Sequence, residues 1–152
     1  MYSVRLWSVR HARGLNAFYR GFEGVLNRMH GLFKAVGYER LERPVAAIER
    51  TVKGALFDCR MCGQCILSAT GMSCPMNCPK NLRNGPCGGV RADGRCEVRP
   101  DMPCVWVEAV AGSARIPGGR EALAVVQHAV DHRLQGHSSW LRVVRERAGS
   151  AS

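Results

Sequence analysis

All eight cysteines of this 152-residue chain fall between residues 59 and 104. They open as Cys59-x2-Cys62-x2-Cys65, continue as Cys74-Pro75-Met76-Asn77-Cys78-Pro79, and close with Cys87, Cys96 and Cys104. So many soft donors in one Gly- and Pro-threaded stretch point to thiolate ligation, which serves zinc sites and iron–sulfur clusters. Three cysteines at regular x2 spacing can cap three irons of one cubane while a remote cysteine takes the fourth. Structural zinc sites more often present paired Cys-x2–4-Cys knuckles. Bacterial ferredoxins share the opening seen here, and in them a later Cys followed by Pro ligates the other cluster. In this chain Cys74-Pro75 and Cys78-Pro79 both carry the Pro, after x8 rather than x3. The spacing favours two 4Fe–4S clusters, with two zinc ions as the alternative, and it puts Cys59, Cys62 and Cys65 on one centre. The fourth ligand is open on spacing alone. The ferredoxin pattern selects Cys78, leaving Cys74, Cys87, Cys96 and Cys104 for the second centre. Gly63, Gly85, Gly88 and Gly89 can bring backbone N–H groups close to sulfur, although a turn is the plainer use of any one of them.

Four disulfides are the competing use of eight cysteines. Against them stand the absence of a secretory h-region, the Cys-free flanks with apolar faces of their own, and an opening that gathers three thiolates rather than pairs. The expectation is a reduced, cytoplasmic metal protein. The first 22 residues hold four Arg and no acid. That has some transit-peptide character, but the stretch reads first as the basic start of an amphipathic helix. No apolar run reaches transmembrane length, so no membrane association is expected. The net charge of +10 is spread along the chain, with 10 basic and 5 acidic residues in 1–58, 6 and 3 in 59–104, and 6 and 4 in 105–152. Without a run of Lys and Arg, nucleic acid is not the expected partner. A cubane with four thiolates carries a charge of about −2, so basic side chains have a local task in offsetting such clusters. An acidic protein partner is their other use.

Other candidates are weaker. His128 and His132 would share a face of a helix, but Ala129 stands where the zinc-peptidase pattern needs Glu, so both read as solvated surface. Met61, Met72, Met76 and Met102 read as packing around the cysteines. Trp106 and Trp140 read as core or interface anchors. No paired carboxylates, nucleophile elbow or phosphate loop occurs, and no catalytic residue is expected.

The elements that must position the cysteines are helical. Phe18, Phe22, Val25, Met29, Leu32 and Val36 recur at steps of three and four, widened by Leu15, Leu26 and Phe33, with Asn16 among the residues of the other face. Such a stripe is either core or a partner surface. Gly14 and Gly37 read as stops. Pro44 reads as a first helical position, followed by a second stripe of Val45, Ile48, Val52 and Leu56 with Glu49 and Arg50 outward. That helix runs straight into Cys59. Asp93-Gly94 predicts a hairpin over 90–98. Gly112 to Gly119 reads as a linker and 120–134 as a third helix. A loop as long as 59–104 needs an organiser, and metal is the candidate. The expected fold is a small single domain, mostly α, with an irregular cysteine-rich metal-cluster-binding centre and one short β-hairpin. Its regions are 1–57 (helical), 58–106 (cysteine-rich) and 107–152 (linker, helix and tail).

The run Cys-x2-Cys-Gly-x-Cys, then Cys-Pro-Met-x-Cys-Pro-Lys-x-Leu-Arg-Asn-Gly-Pro-Cys-Gly-Gly, Gly-x-Cys-Glu-Val and Cys-Val-Trp resembles the methylenetetrahydrofolate reductase C-terminal domain family. The likeness is close from Leu56 to Trp106, and it extends to Asp131-x-Arg133-Leu134 and Ser138-Ser139-Trp140-Leu141. It implies a small cysteine-rich subunit that accompanies a flavin-containing methylenetetrahydrofolate reductase catalytic subunit, either relaying electrons to its flavin or, with zinc, stabilising it structurally. An electron donor such as a ferredoxin is a further expected partner. The catalytic reductase is a TIM barrel of about 250 residues, so folate and flavin sites are expected on another polypeptide. Only the eight cysteines carry over as site residues.

Overall fold

Four helices in close succession lead into the cysteine stretch. The computed structural model describes residues 2–150. Helix α1 spans Tyr2–Arg10, α2 Ala12–Arg28, α3 His30–Val36 and α4 Tyr38–Phe57. Beyond α4 the chain is irregular to Cys104, apart from one 3-10 turn at Pro75–Asn77. It then forms α5 (Val105–Ser113), α6 (Gly119–Ala124), a second 3-10 turn (His132–Leu134) and α7 (Ser139–Ser150). The fold is the expected mostly helical single domain.

Several local expectations change. Gly14 lies inside α2, and the break falls at His11 instead. Gly37 does stop α3, with φ of 95°, but Tyr38 starts α4 immediately. Pro44 therefore sits in the interior of α4, where its ring forgoes the bond to the Arg40 carbonyl. The hairpin shrinks to isolated bridges, Val90 with Cys96 and Arg95 with Pro103. Its Asp-Gly turn is closed by the Gly94 N–H donating to the Arg91 carbonyl at 2.9 Å.

The third helix stops at Ala124 rather than 134, because side chains from the cysteine region capture the next backbone groups. Asn84 Nδ2 donates to the Gln127 carbonyl at 2.9 Å, and Asn84 Oδ1 accepts from the Gln127 N–H at 2.8 Å. Arg83 Nε donates to the His128 carbonyl at 3.0 Å, and Gln64 Oε1 accepts from the Asp131 N–H at 2.7 Å. The expected linker is no linker either, since Gly112 belongs to α5. There it packs directly on the Gly71 backbone, too close for any side chain.

The apolar stripes face elsewhere than expected. In α4 the buried residues are Ala46, Glu49, Lys53 and Phe57, while Ile48 and Val52 are 58% and 44% exposed. Along α2 and α3, Leu15, Leu26 and Phe33 turn inward, and Phe22 meets Trp140 edge-on at 4.8 Å. Helix α7 covers that flank, its Leu141 and Val144 packing with Phe33. Phe18 stays 74% exposed, and Val25, Met29, Leu32 and Val36 are exposed with it. Asn16, expected outward, is buried. The basic N-terminal helix is part of the fold, because Ser8 is fully buried and its Oγ donates to the Leu56 carbonyl at 2.7 Å.

Candidate metal centre

All eight cysteines are free, with no disulfide joining any two of them. Helix α4 ends at Phe57, and Asp58, in the left-handed region at φ 52°, turns the chain into the loop that carries Cys59, Cys62 and Cys65. The Cys59 N–H still donates to the Lys53 carbonyl at 3.3 Å. Cys74 arrives from the N-terminal side of the 3-10 turn. These four cysteines line one cavity of about 20 Å³, floored by Met61, Leu67 and Met76. That is room for little more than a water. The Met61 N–H donates to Cys59 Sγ at 3.3 Å. Burial pushes the Cys59 thiol up to about 11. Burial, aided by Cys59 and Cys65, pushes Cys74 up to about 12. Metal binding at either sulfur would therefore release its proton.

Cys78 leaves the C-terminal side of the same 3-10 turn and goes elsewhere. It packs with Cys96, Cys104, Met102, Val105, Trp106 and Ala109, and Cys87 lies against that cluster. The two bridges hold this group, with the Cys96 N–H donating to Met102 O and the Cys104 N–H to Gly94 O, each at 3.0 Å. The Gly89 N–H donates to Cys87 Sγ at 3.4 Å, the use expected of these glycines. Spacing left the fourth ligand of the first centre open, with Cys78 taken from the ferredoxin pattern; in the structure Cys74 lines the cavity of Cys59, Cys62 and Cys65, and Cys78 packs beside Cys96 and Cys104. The reason is local. A single 3-10 turn separates them, and its three residues per turn do not stack i and i+4 on one face as an α-helix does. Asn77 locks the turn, its Nδ2 donating to the Phe57 carbonyl at 2.9 Å.

The first cavity also has a charged wall. Lys53 and Glu49 line it, each only 1% exposed. Lys53 Nζ donates to Glu49 Oε1 at 2.7 Å and to Ser139 Oγ at 2.8 Å. Glu49 Oε2 accepts from Ser138 Oγ at 2.6 Å and from the Trp140 N–H at 3.3 Å, and Ser139 Oγ also bonds Glu49. Burial works against the Lys53 charge, but Cys65, Tyr19 and Glu49 outweigh it and hold the ammonium above its ordinary range. Burial and Cys65 likewise raise Tyr19. Sequence reasoning set Glu49 on the outer face of α4 and missed Lys53. The available signal was their i, i+4 spacing on the helix that feeds Cys59.

The donor chemistry fits a soft metal centre at each group, since each offers four thiols. As placed, no three His, Cys, Asp or Glu side chains among the described residues stand close enough to hold one ion. His128 and His132 lie off any α-helix and are exposed, so they share no face. Met61, Met72 and Met102 are buried packing, as are Trp106 and Trp140.

Gly63 fixes the first loop. Its φ is 71°, and a Cβ there would stand 2.5 Å from the Leu134 carbonyl oxygen. Gly63→Ala combines backbone strain with a backbone clash. It should cost about 2 kcal/mol or more, read as a lowered thermal midpoint with weakened metal retention.

Comparison with curated proteins and with solved structures found no match. A family described as methylene-tetrahydrofolate reductase C terminal matches residues 38–133, from the first residue of α4 through both cysteine groups to the second 3-10 turn. With most of the chain and all eight cysteines inside that match, the protein belongs to the methylenetetrahydrofolate reductase C-terminal domain family.

Proposed function

We propose that this chain is an iron–sulfur accessory subunit that docks on a flavin-containing methylenetetrahydrofolate reductase in the cytoplasm and relays electrons to its flavin. The carrying observation is the sorting of eight free cysteines into two groups of four within a chain of this family. The ligand sets under this reading are Cys59, Cys62, Cys65 and Cys74 for one 4Fe–4S cluster, and Cys78, Cys87, Cys96 and Cys104 for the other. Such clusters accept and pass on single electrons. The chain's own part is to hold the thiolates and exclude water, and Met72, Met102 and Val105, each 1% exposed, serve the second task.

Docking belongs to the face left open by α2 and α4. Leu15, Phe18, Phe22, Ile48, Val52 and Trp140 line an apolar groove of about 250 Å³ there, and Lys53 belongs to both this groove and the first cysteine cavity. Helix α2 also carries the exposed Arg13, Arg20 and Arg28 on its solvent side, which suits approach of an acidic partner. A partner seated there comes within one side chain of the first centre.

Anaerobic purification of the tagged chain from its native host, with metal analysis and EPR, tests this reading. The expected result is about eight irons per chain, a broad visible absorbance that bleaches on reduction, and a co-purifying flavoprotein. Stoichiometric zinc without iron would leave a structural subunit and end the electron-transfer reading.

A further inference from the structure

The chain has three lysines, Lys34, Lys53 and Lys80. Only Lys53 is buried, and it is buried at the cysteines. An ammonium removed from water is costly unless it is paired and fully hydrogen-bonded. Glu49 supplies one partner at 2.7 Å and Ser139 another at 2.8 Å, which uses two of the three donors of the ammonium. The faces of Tyr19 and Trp140 flank it at 5.3 and 5.2 Å from their ring centroids. The Glu49 carboxylate is shared more widely. Besides Lys53 it is bonded by Ser138 Oγ, Ser139 Oγ and the Trp140 N–H, all from the start of α7. Both side chains line the cysteine cavity; the carboxylate is shared among these further donors, and the ammonium interacts with Cys65.

We infer that Lys53 is the fixed counter-charge of the metal–thiolate centre held by Cys59, Cys62, Cys65 and Cys74, and that Glu49 positions it. The inference rests on the reading that these four cysteines bind metal, but not on which metal. A zinc ion with four thiolates and a 4Fe–4S core with four thiolates both carry about two negative charges. In a water-poor cavity that excess needs a compensating charge that cannot swing away, and Lys53 is locked at both ends. The exposed counterpart at the second group, Lys80 beside Cys87 and Glu97, is free to exchange with solvent. The two centres should therefore differ in how strongly charge substitution affects them.

The test compares Lys53→Met, Glu49→Gln and the double variant in the full chain, purified anaerobically. The readouts are the rate at which a chelator removes metal and, where the metal is iron, the midpoint potential by EPR-monitored titration. Lys53→Met should release metal from one phase about tenfold faster or more, and lower the potential. Glu49→Gln unmasks the ammonium and should act in the opposite direction, slowing release and raising the potential. The double variant should fall between them, and the second phase, from the other cysteine group, should not move. Opposite signs are the mark of a charge, because a merely structural pair gives loosening in both single variants. Shifts of the same sign, or no shift, overturn the inference. If Lys53→Met does not fold, Glu49→Gln and the double variant decide alone. A wild-type chain that holds no metal overturns the underlying reading instead, so the two failures are distinguishable.

Discussion

The double variant Cys62→Ser/Cys74→Ser should keep about half of the metal of the unaltered chain, and Cys62→Ser/Cys78→Ser should keep almost none. Two ligands removed from one centre destroy that centre and spare the other, whereas one ligand removed from each damages both. The structure puts Cys62 and Cys74 on the same cavity and Cys78 in the other packed group. The ferredoxin-like partition gives the reverse result, so one pair of metal analyses separates the two. The loss should also be visible as lost stability, because both groups are integral to the core. Cys65 and Cys74 pack against Ala12, Phe57, Leu67, Met72 and Ile116, and the second group packs around Met102 and Trp106. Metal binding in small cysteine-rich domains is folding free energy, on the order of 10 kcal/mol per structural zinc. Even half of that lowers the melting temperature of a domain this size by about 10–20 °C. The half-loaded Cys62→Ser/Cys74→Ser chain should therefore melt well below the loaded one and above the chelated one. Retention of half the metal by Cys62→Ser/Cys78→Ser would restore the partition read from spacing.

The cysteines, the helical class and the family motif were legible in the sequence because they are local signals. A three-cysteine opening at x2 spacing and an Asp-Gly turn need nothing from the rest of the chain. What the sequence could not place depended on distant segments. The positions of Cys74 and Cys78 turn on a 3-10 turn, locked by Asn77 on the end of α4. The early end of α6 follows from Asn84 and Arg83, more than forty residues away, taking backbone groups that a helix would have used itself. Glu49 read as surface because carboxylates usually are. Ser138, Ser139 and Trp140 reverse this by supplying donors, and they could be paired with Glu49 only once α7 was seen to pack on α4. The helical stripes were correct in period but ambiguous in side, since α2 and α4 are apolar over wider arcs than one small core can cover.

That surplus arc makes the second large effect predictable. Phe18→Glu and Val52→Glu should abolish co-purification with the flavoprotein while leaving melting temperature and metal content unchanged. Both residues belong to the α2–α4 groove and both are solvent-exposed, at 74% and 44%, so the isolated chain has little to lose. In a complex the same positions would be buried against apolar surface, where an unpaired carboxylate is heavily penalised. Loss of an apolar anchor at an interface centre costs about 2 kcal/mol or more, and the buried charge adds to it, so affinity should fall by about a hundredfold or more. Charge reversal outside the groove should act differently. Arg20→Glu, on the exposed surface of α2, should chiefly slow association and reduce its dependence on salt, because charges outside the contact steer encounter more than they hold the complex. Retained binding in Phe18→Glu would place the partner elsewhere on the chain. Loss of binding accompanied by loss of metal would mean that the groove supports the first cysteine cavity from behind, through Lys53, rather than receiving a partner. The pattern expected of a docking face is separation, with association lost, metal kept, and electron delivery to the flavin failing only because the two proteins no longer meet.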